Sequence, residues 1–92
     1  SAGEALALGI VSRVVPTERV EEEVFQIGRE ICANAPIAVR QAKKAIDLGV
    51  DLDFQTGLRI ELEAFHVNLS TKDRQEGIRA FNEKRPPQWE NR

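Results

Sequence analysis

Between residues 54 and 69 the large apolar side chains Phe54, Leu58, Leu62, Phe65 and Leu69 recur at steps of four, four, three and four. At ~100° per residue they fall within about 80° of one helical face. A strand would scatter them over both of its faces, because its side chains alternate with a period of two. This stripe therefore demands a long helix, and its expected place is a buried seam against another helix.

The flanking segments follow the same logic. Ser1 with Glu4 three residues on reads as a helix start, and the Ala-rich run to Leu8 ends at Gly9, where positive φ is wanted. Ile10 to Val15 is rich in β-branched residues and predicts a short extended stretch, stopped by Pro16. Thr17 is expected to cap a second helix, with Glu18 in its first turn and Val20, Val24, Ile27 and Ile31 on one face, running to about Ala33. A third helix is expected from Pro36 to Leu48. Its Ala38, Ala42 and Ala45 are small enough to admit a neighbouring helix, and Gly49 closes it. Asp51 or Asp53 then caps the striped helix.

Thr71 opens a fifth helix that presents Ile78 and Phe81 and ends before Pro86. Gly77 in its interior costs about 1 kcal/mol relative to alanine. So weak a helix is expected to be held by something outside these residues, and Pro86 to Arg92 reads as a tail. The expected fold is all-α, with about five helices and a short extended N-terminal stretch, in a single helical domain over residues 1–92.

Composition narrows the function classes. With 92 residues, 30% charged and 41% hydrophobic, and a formal charge of −2, the chain has the balance of an ordinary globular protein. Its apolar runs are far short of the ~20 residues a bilayer span needs. No methionine occurs, so the chain is expected to be a segment of a longer protein. Cys32 is the single cysteine, which removes any intrachain disulfide and any cysteine-pair metal site. On a helix face it serves as a small hydrophobe. His66 is the single histidine and has no recognisable nucleophile or acidic orienter beside it. Glu61 and Glu63 point about 200° apart on one helix and cannot share a proton. No catalytic residue and no metal site is expected among these residues.

Three blocks then carry a family resemblance. Glu4-Ala5 with Gly9-Ile10-Val11 and Val14-Val15-Pro16 forms the first, and Asn34-Ala35-Pro36-Ile37-Ala38 through Lys43 the second. The third runs Thr71-Lys72-Asp73-Arg74-Gln75-Glu76-Gly77 and on through Ala80-Phe81-Asn82-Glu83-Lys84-Arg85. In this order and spacing they resemble the C-terminal helical domain of the enoyl-CoA hydratase/isomerase (crotonase) family. Residues 53–61 and the ending Glu83-Lys84-Arg85-Pro86-Pro87 are most similar to its methylglutaconyl-CoA hydratase and AU-rich-RNA-binding branch.

The resemblance implies a parent enzyme that adds water to 2,3-enoyl-CoA thioesters. Its backbone oxyanion hole and acidic proton-transfer residues would lie in an upstream core. This segment would act as a lid and trimerisation element and be inactive alone. Phe65 and Phe81 match positions lining the acyl or pantetheine end of the pocket, and Lys84 matches the lysine that meets the CoA phosphates. Arg85 is a weaker phosphate candidate and reads first as a solvated charge. The CoA thioester is the substrate and no further cofactor is implied. The implied partners are acyl-CoA, the rest of the subunit and neighbouring subunits of a trimer or hexamer. The expected location is cytoplasmic, or the mitochondrial matrix in a eukaryote.

Two alternatives stand beside this. The segment is an oligomerisation module without ligand binding, or it belongs to an enoyl-CoA isomerase or another acyl-CoA enzyme of the family. Arg40, Lys43 and Lys44 share a helix face but are too few for a nucleic-acid footprint, so RNA binding is not expected.

Overall fold

The computed structural model describes residues 1–92 and is all-α, with five α-helices, one 3₁₀ turn and no strand. The helices are α1 (Ala2–Ala7), α2 (Val20–Cys32), α3 (Pro36–Gly49), α4 (Phe54–Leu69) and α5 (Lys72–Glu83). The chain forms two compact units, Ser1–Glu30 and Ile31–Arg92.

In the first unit, α1 starts with the capping box expected from Ser1 and Glu4. It stops at Gly9, whose φ is 71°. There the Gly9 N–H donates to the Leu6 carbonyl at 3.0 Å and the Ile10 N–H to the Ala5 carbonyl at 2.9 Å, the paired closure of a Schellman motif. Residues 10–16 form no strand. Thr17 does not cap α2. It begins a 3₁₀ turn, Thr17–Arg19, whose N-cap is Pro16 with no side-chain hydrogen bond, and α2 follows from Val20. Arg13 pairs with Glu23 on α2, fastening the irregular stretch to the helix.

In the second unit α3 and α4 pack as a hairpin joined by residues 50–53. Pro36 occupies the first turn of α3, where its missing N–H is not needed. Gly49 is the last residue of α3 rather than the residue after it, and Val50 is the C-cap. Asp53 caps α4, accepting from the Gln55 and Thr56 N–H groups at 3.1 Å each. The backbones come close where α3 ends and α4 begins, so that a Cβ on Gly49 would sit 3.7 Å from the Gly57 Cα.

The stripe on α4 is not buried in this chain. Phe54 is 75% exposed and Phe65 55%, and the buried apolar residue of α4 is Ala64. The spacing correctly makes a helix with one apolar face, but the small residues, not the large ones, lie against the hairpin. Cys32 is also exposed.

The segment after α5 is not a loose tail. Asp73, 2% exposed, accepts from the Glu90 N–H at 2.7 Å and the Asn91 N–H at 3.0 Å. In return the Arg92 carbonyl accepts from the Lys72 and Asp73 N–H groups at 2.7 and 3.1 Å. With Thr71 Oγ1 accepting from the Arg74 N–H at 3.1 Å, three free donors of the first turn of α5 are satisfied. Trp89 donates its indole N–H to the Ala33 carbonyl at 2.8 Å. A Cβ on Gly77 would meet the Trp89 ring at 3.4 Å, an ordinary contact, so the ring that braces α5 lies directly over the glycine that weakens it. Much of the support expected from outside is supplied by residues 85–92.

Candidate functional site

Two features of the second unit could meet a ligand. One is an open groove of about 810 Å³ along α3 and α4. Ala38, Ala42 and Ala45 form its α3 side, and Phe54, Leu58 and Phe65 its α4 side. Small residues on one helix facing large ones on the other leave a channel with apolar walls, and Asp53, Glu61 and Asn68 supply its polar groups. The Asn68 side-chain oxygen is buried without a hydrogen-bond partner.

The other feature is the C-terminal corner of α5. Phe81 is 84% exposed, the most open large apolar residue of the chain. Lys84 is exposed and takes the left-handed conformation, φ 52° and ψ 41°. Its N–H donates to the Phe81 carbonyl at 3.2 Å, and the Arg85 N–H donates to the Ala80 carbonyl at 3.1 Å. This is the closure seen at Gly9, with lysine in the glycine position.

Arg85 is anchored rather than solvated. Its Nη1 and Nη2 donate to the two Glu76 carboxylate oxygens at 2.6 and 3.1 Å, and its Nε donates to Glu83 at 2.6 Å. Glu76 also accepts from the Gln88 N–H at 2.9 Å. The Arg85 guanidinium first, and the Gln88 N–H second, pull the Glu76 carboxyl down to about 2. The Glu76 carboxylate first, and Glu83 second, raise the Arg85 pKa.

Of the three residues singled out by sequence, Phe65 lines the groove, whereas Phe81 and Lys84 stand at the α5 corner and do not line it. Asp73, Glu76 and Arg85 stand in the third family block, but their anchoring partners, and the bracing role of Trp89, emerge only in the fold. A lone tryptophan after two prolines and an interior helix glycine were the available signals. Of the basic trio, Arg40 donates to the Asn91 side chain at 2.7 Å and Lys43 pairs with Asp47 at 2.8 Å, which leaves little of the patch for phosphates. No group of His, Cys, Asp and Glu is arranged to hold a metal ion, and no helix is long and apolar enough to cross a membrane.

The sequence pattern of the family described as enoyl-CoA hydratase/isomerase matches residues 1–92. The chain is similar to the mitochondrial methylglutaconyl-CoA hydratase of Mus musculus, 40% identical over 90 residues that cover 94% of this chain and 29% of that protein. It is similar also to the short-chain-enoyl-CoA hydratase of Clostridioides difficile, 45% identical over 80 residues, 87% of this chain and 52% of the other. The crystal structure of an enoyl-CoA hydratase from Bacillus anthracis matches with a TM-score of 0.96 at 46% identity, covering 100% of this chain and 36% of that one. The chain thus spans about a third of the length of several of the proteins it matches.

Proposed function

Because the chain belongs to the enoyl-CoA hydratase/isomerase family, we propose that it is the C-terminal helical segment of an enzyme that adds water across the 2,3 double bond of an acyl-CoA thioester. In that enzyme it covers the acyl-CoA pocket and supports subunit assembly, while the oxyanion-hole donors and proton-transfer carboxylates come from the rest of the subunit. Coenzyme A enters as part of the substrate, and no separate cofactor is required.

The observation that carries this reading is the exposed apolar surface. Only Ala64 and Ala80 are buried apolar residues, while Phe54, Phe65 and Phe81 stand open. Surface of this kind is covered by protein or ligand in a working assembly, since full burial of such a side chain is worth about 1.5–3 kcal/mol and more than half of each ring's share is still to be gained. In the proposed enzyme Phe65 and Phe81 face the acyl and pantetheine end of the substrate, and Lys84 meets the nucleotide phosphates.

Crotonyl-CoA hydration is the direct test. The full-length enzyme is expected to hydrate it, and the 92-residue chain by itself is expected to be inactive. A rate for the isolated chain near that of the full-length enzyme would overturn the division of labour. Sedimentation at several concentrations addresses the alternative of a pure oligomerisation module. Self-association that CoA esters neither promote nor require favours that alternative.

A further inference from the structure

Two helices of this chain close in the same way, and the difference between them is informative. At the end of α1 the left-handed position is Gly9, φ 71°, which adopts it without a Cβ clash. At the end of α5 the same position is Lys84, φ 52°, where an L side chain costs on the order of a glycine's advantage, and the exposed side chain forms no ion pair within the chain. The neighbouring residue accounts for its persistence. Arg85 is bidentate to Glu76, nine residues earlier and inside α5, and bonded to Glu83 as well. The Gln88 N–H closes on the same Glu76 carboxylate, so the chain on the far side of Lys84 is held to α5 at two points. The backbone of Lys84 is clamped between a helix and a fastened segment, and its ammonium is left exposed.

We propose that Glu76 and Arg85 are positioning residues for Lys84: their bidentate pair holds the left-handed corner that projects the Lys84 ammonium toward the phosphates of a CoA ester. This rests on the phosphate role given to Lys84 above and adds the two residues through which that role is enforced. A loose corner would leave Lys84 present but mobile, and each long side chain that must be ordered on binding lowers affinity. The preformed corner removes part of that cost.

The test uses the full-length enzyme and two substrates, crotonyl-CoA and the crotonyl thioester of N-acetylcysteamine, which lacks the nucleotide and its phosphates. Lys84→Ala is expected to raise the KM for crotonyl-CoA about tenfold, with a smaller change in kcat and none in KM for the truncated thioester. Glu76→Gln is expected to raise the crotonyl-CoA KM about threefold to tenfold, and in a Lys84→Ala background to add nothing. Arg85→Lys keeps the charge but loses the two-pronged geometry, and should reproduce the effect in a form that folds if Glu76→Gln proves unstable. A KM rise of equal size for both substrates, or an effect that adds fully to that of Lys84→Ala, overturns the positioning role and leaves the Lys84 role standing. An unchanged crotonyl-CoA KM in Lys84→Ala overturns the phosphate reading itself.

Discussion

Replacing Asp73 with asparagine should release residues 89–92 from α5 without disturbing α3. The carboxylate is buried and accepts two backbone N–H groups, from Glu90 at 2.7 Å and Asn91 at 3.0 Å. Asparagine has the same shape but offers one oxygen, and its NH₂ would face the second N–H donor to donor. One charge-assisted hydrogen bond is lost, a change of about 2 kcal/mol within the 1.5–3 kcal/mol expected of bonds to ionised groups. Since 1.4 kcal/mol is a factor of ten, the Glu90 and Asn91 amides should exchange with solvent roughly thirtyfold faster. Amides in the middle of α3, such as Ala42, should keep their rates. Asp73→Ala removes both acceptors and should bring the Glu90 and Asn91 amides close to unprotected exchange, the limit set by the segment opening to water. Native-state hydrogen exchange read by NMR measures each amide separately. An acceleration below threefold at Glu90 and Asn91, or a uniform acceleration through α3, would show that Asp73 is not what fastens this segment.

Acidification offers a second handle: the Glu76 carboxyl lies at about 2 in the folded chain against an ordinary 4.5. Its contribution is complete above about pH 4.5 and is lost as the pH falls toward 2, so fluorescence of Trp89, the single tryptophan, should report loosening over that window and none between pH 6 and 8. Gly77→Ala should be close to neutral or stabilising, because the helix-propensity gain of about 1 kcal/mol meets only an ordinary contact at 3.4 Å. Gly77→Leu should displace the indole and lower the melting temperature. Trp89→Phe removes the hydrogen bond to the Ala33 carbonyl and should cost about 1 kcal/mol in denaturant unfolding. Gel shifts with AU-rich RNA should be absent at physiological salt, given the internal partners of Arg40 and Lys43.

The helices were legible because their signals are local. Ser1, Asp53 and Thr71 cap through their own side chains, and the apolar spacing of α4 fixes its period. Thr17 misled because Pro16 before it starts a 3₁₀ turn, leaving the threonine side chain out of the cap. The exposed stripe misled for a different reason: periodicity identifies an apolar face but does not say which chain segment covers it. The fastening of residues 85–92 was illegible because its partners are remote. Asp73 reads as an ordinary acid in a helix first turn until Glu90 and Asn91 return to it, and Trp89 meets Ala33 across 56 positions. Phe65, Phe81 and Lys84 were reached through the family resemblance, whereas the pairing of Glu76 with Arg85 is visible only in the folded corner.

The exchange of bonds between Asp73 and Arg92 also sets an order of events during synthesis. Lys72 and Asp73 leave the ribosome about twenty residues before Arg92, the residue whose carbonyl receives their N–H groups. Until then the first turn of α5 has only Thr71 to cap it and water for its remaining donors. The helix is spoken before it is punctuated, so its final form waits on the arrival of residues 90–92 rather than on its own sequence.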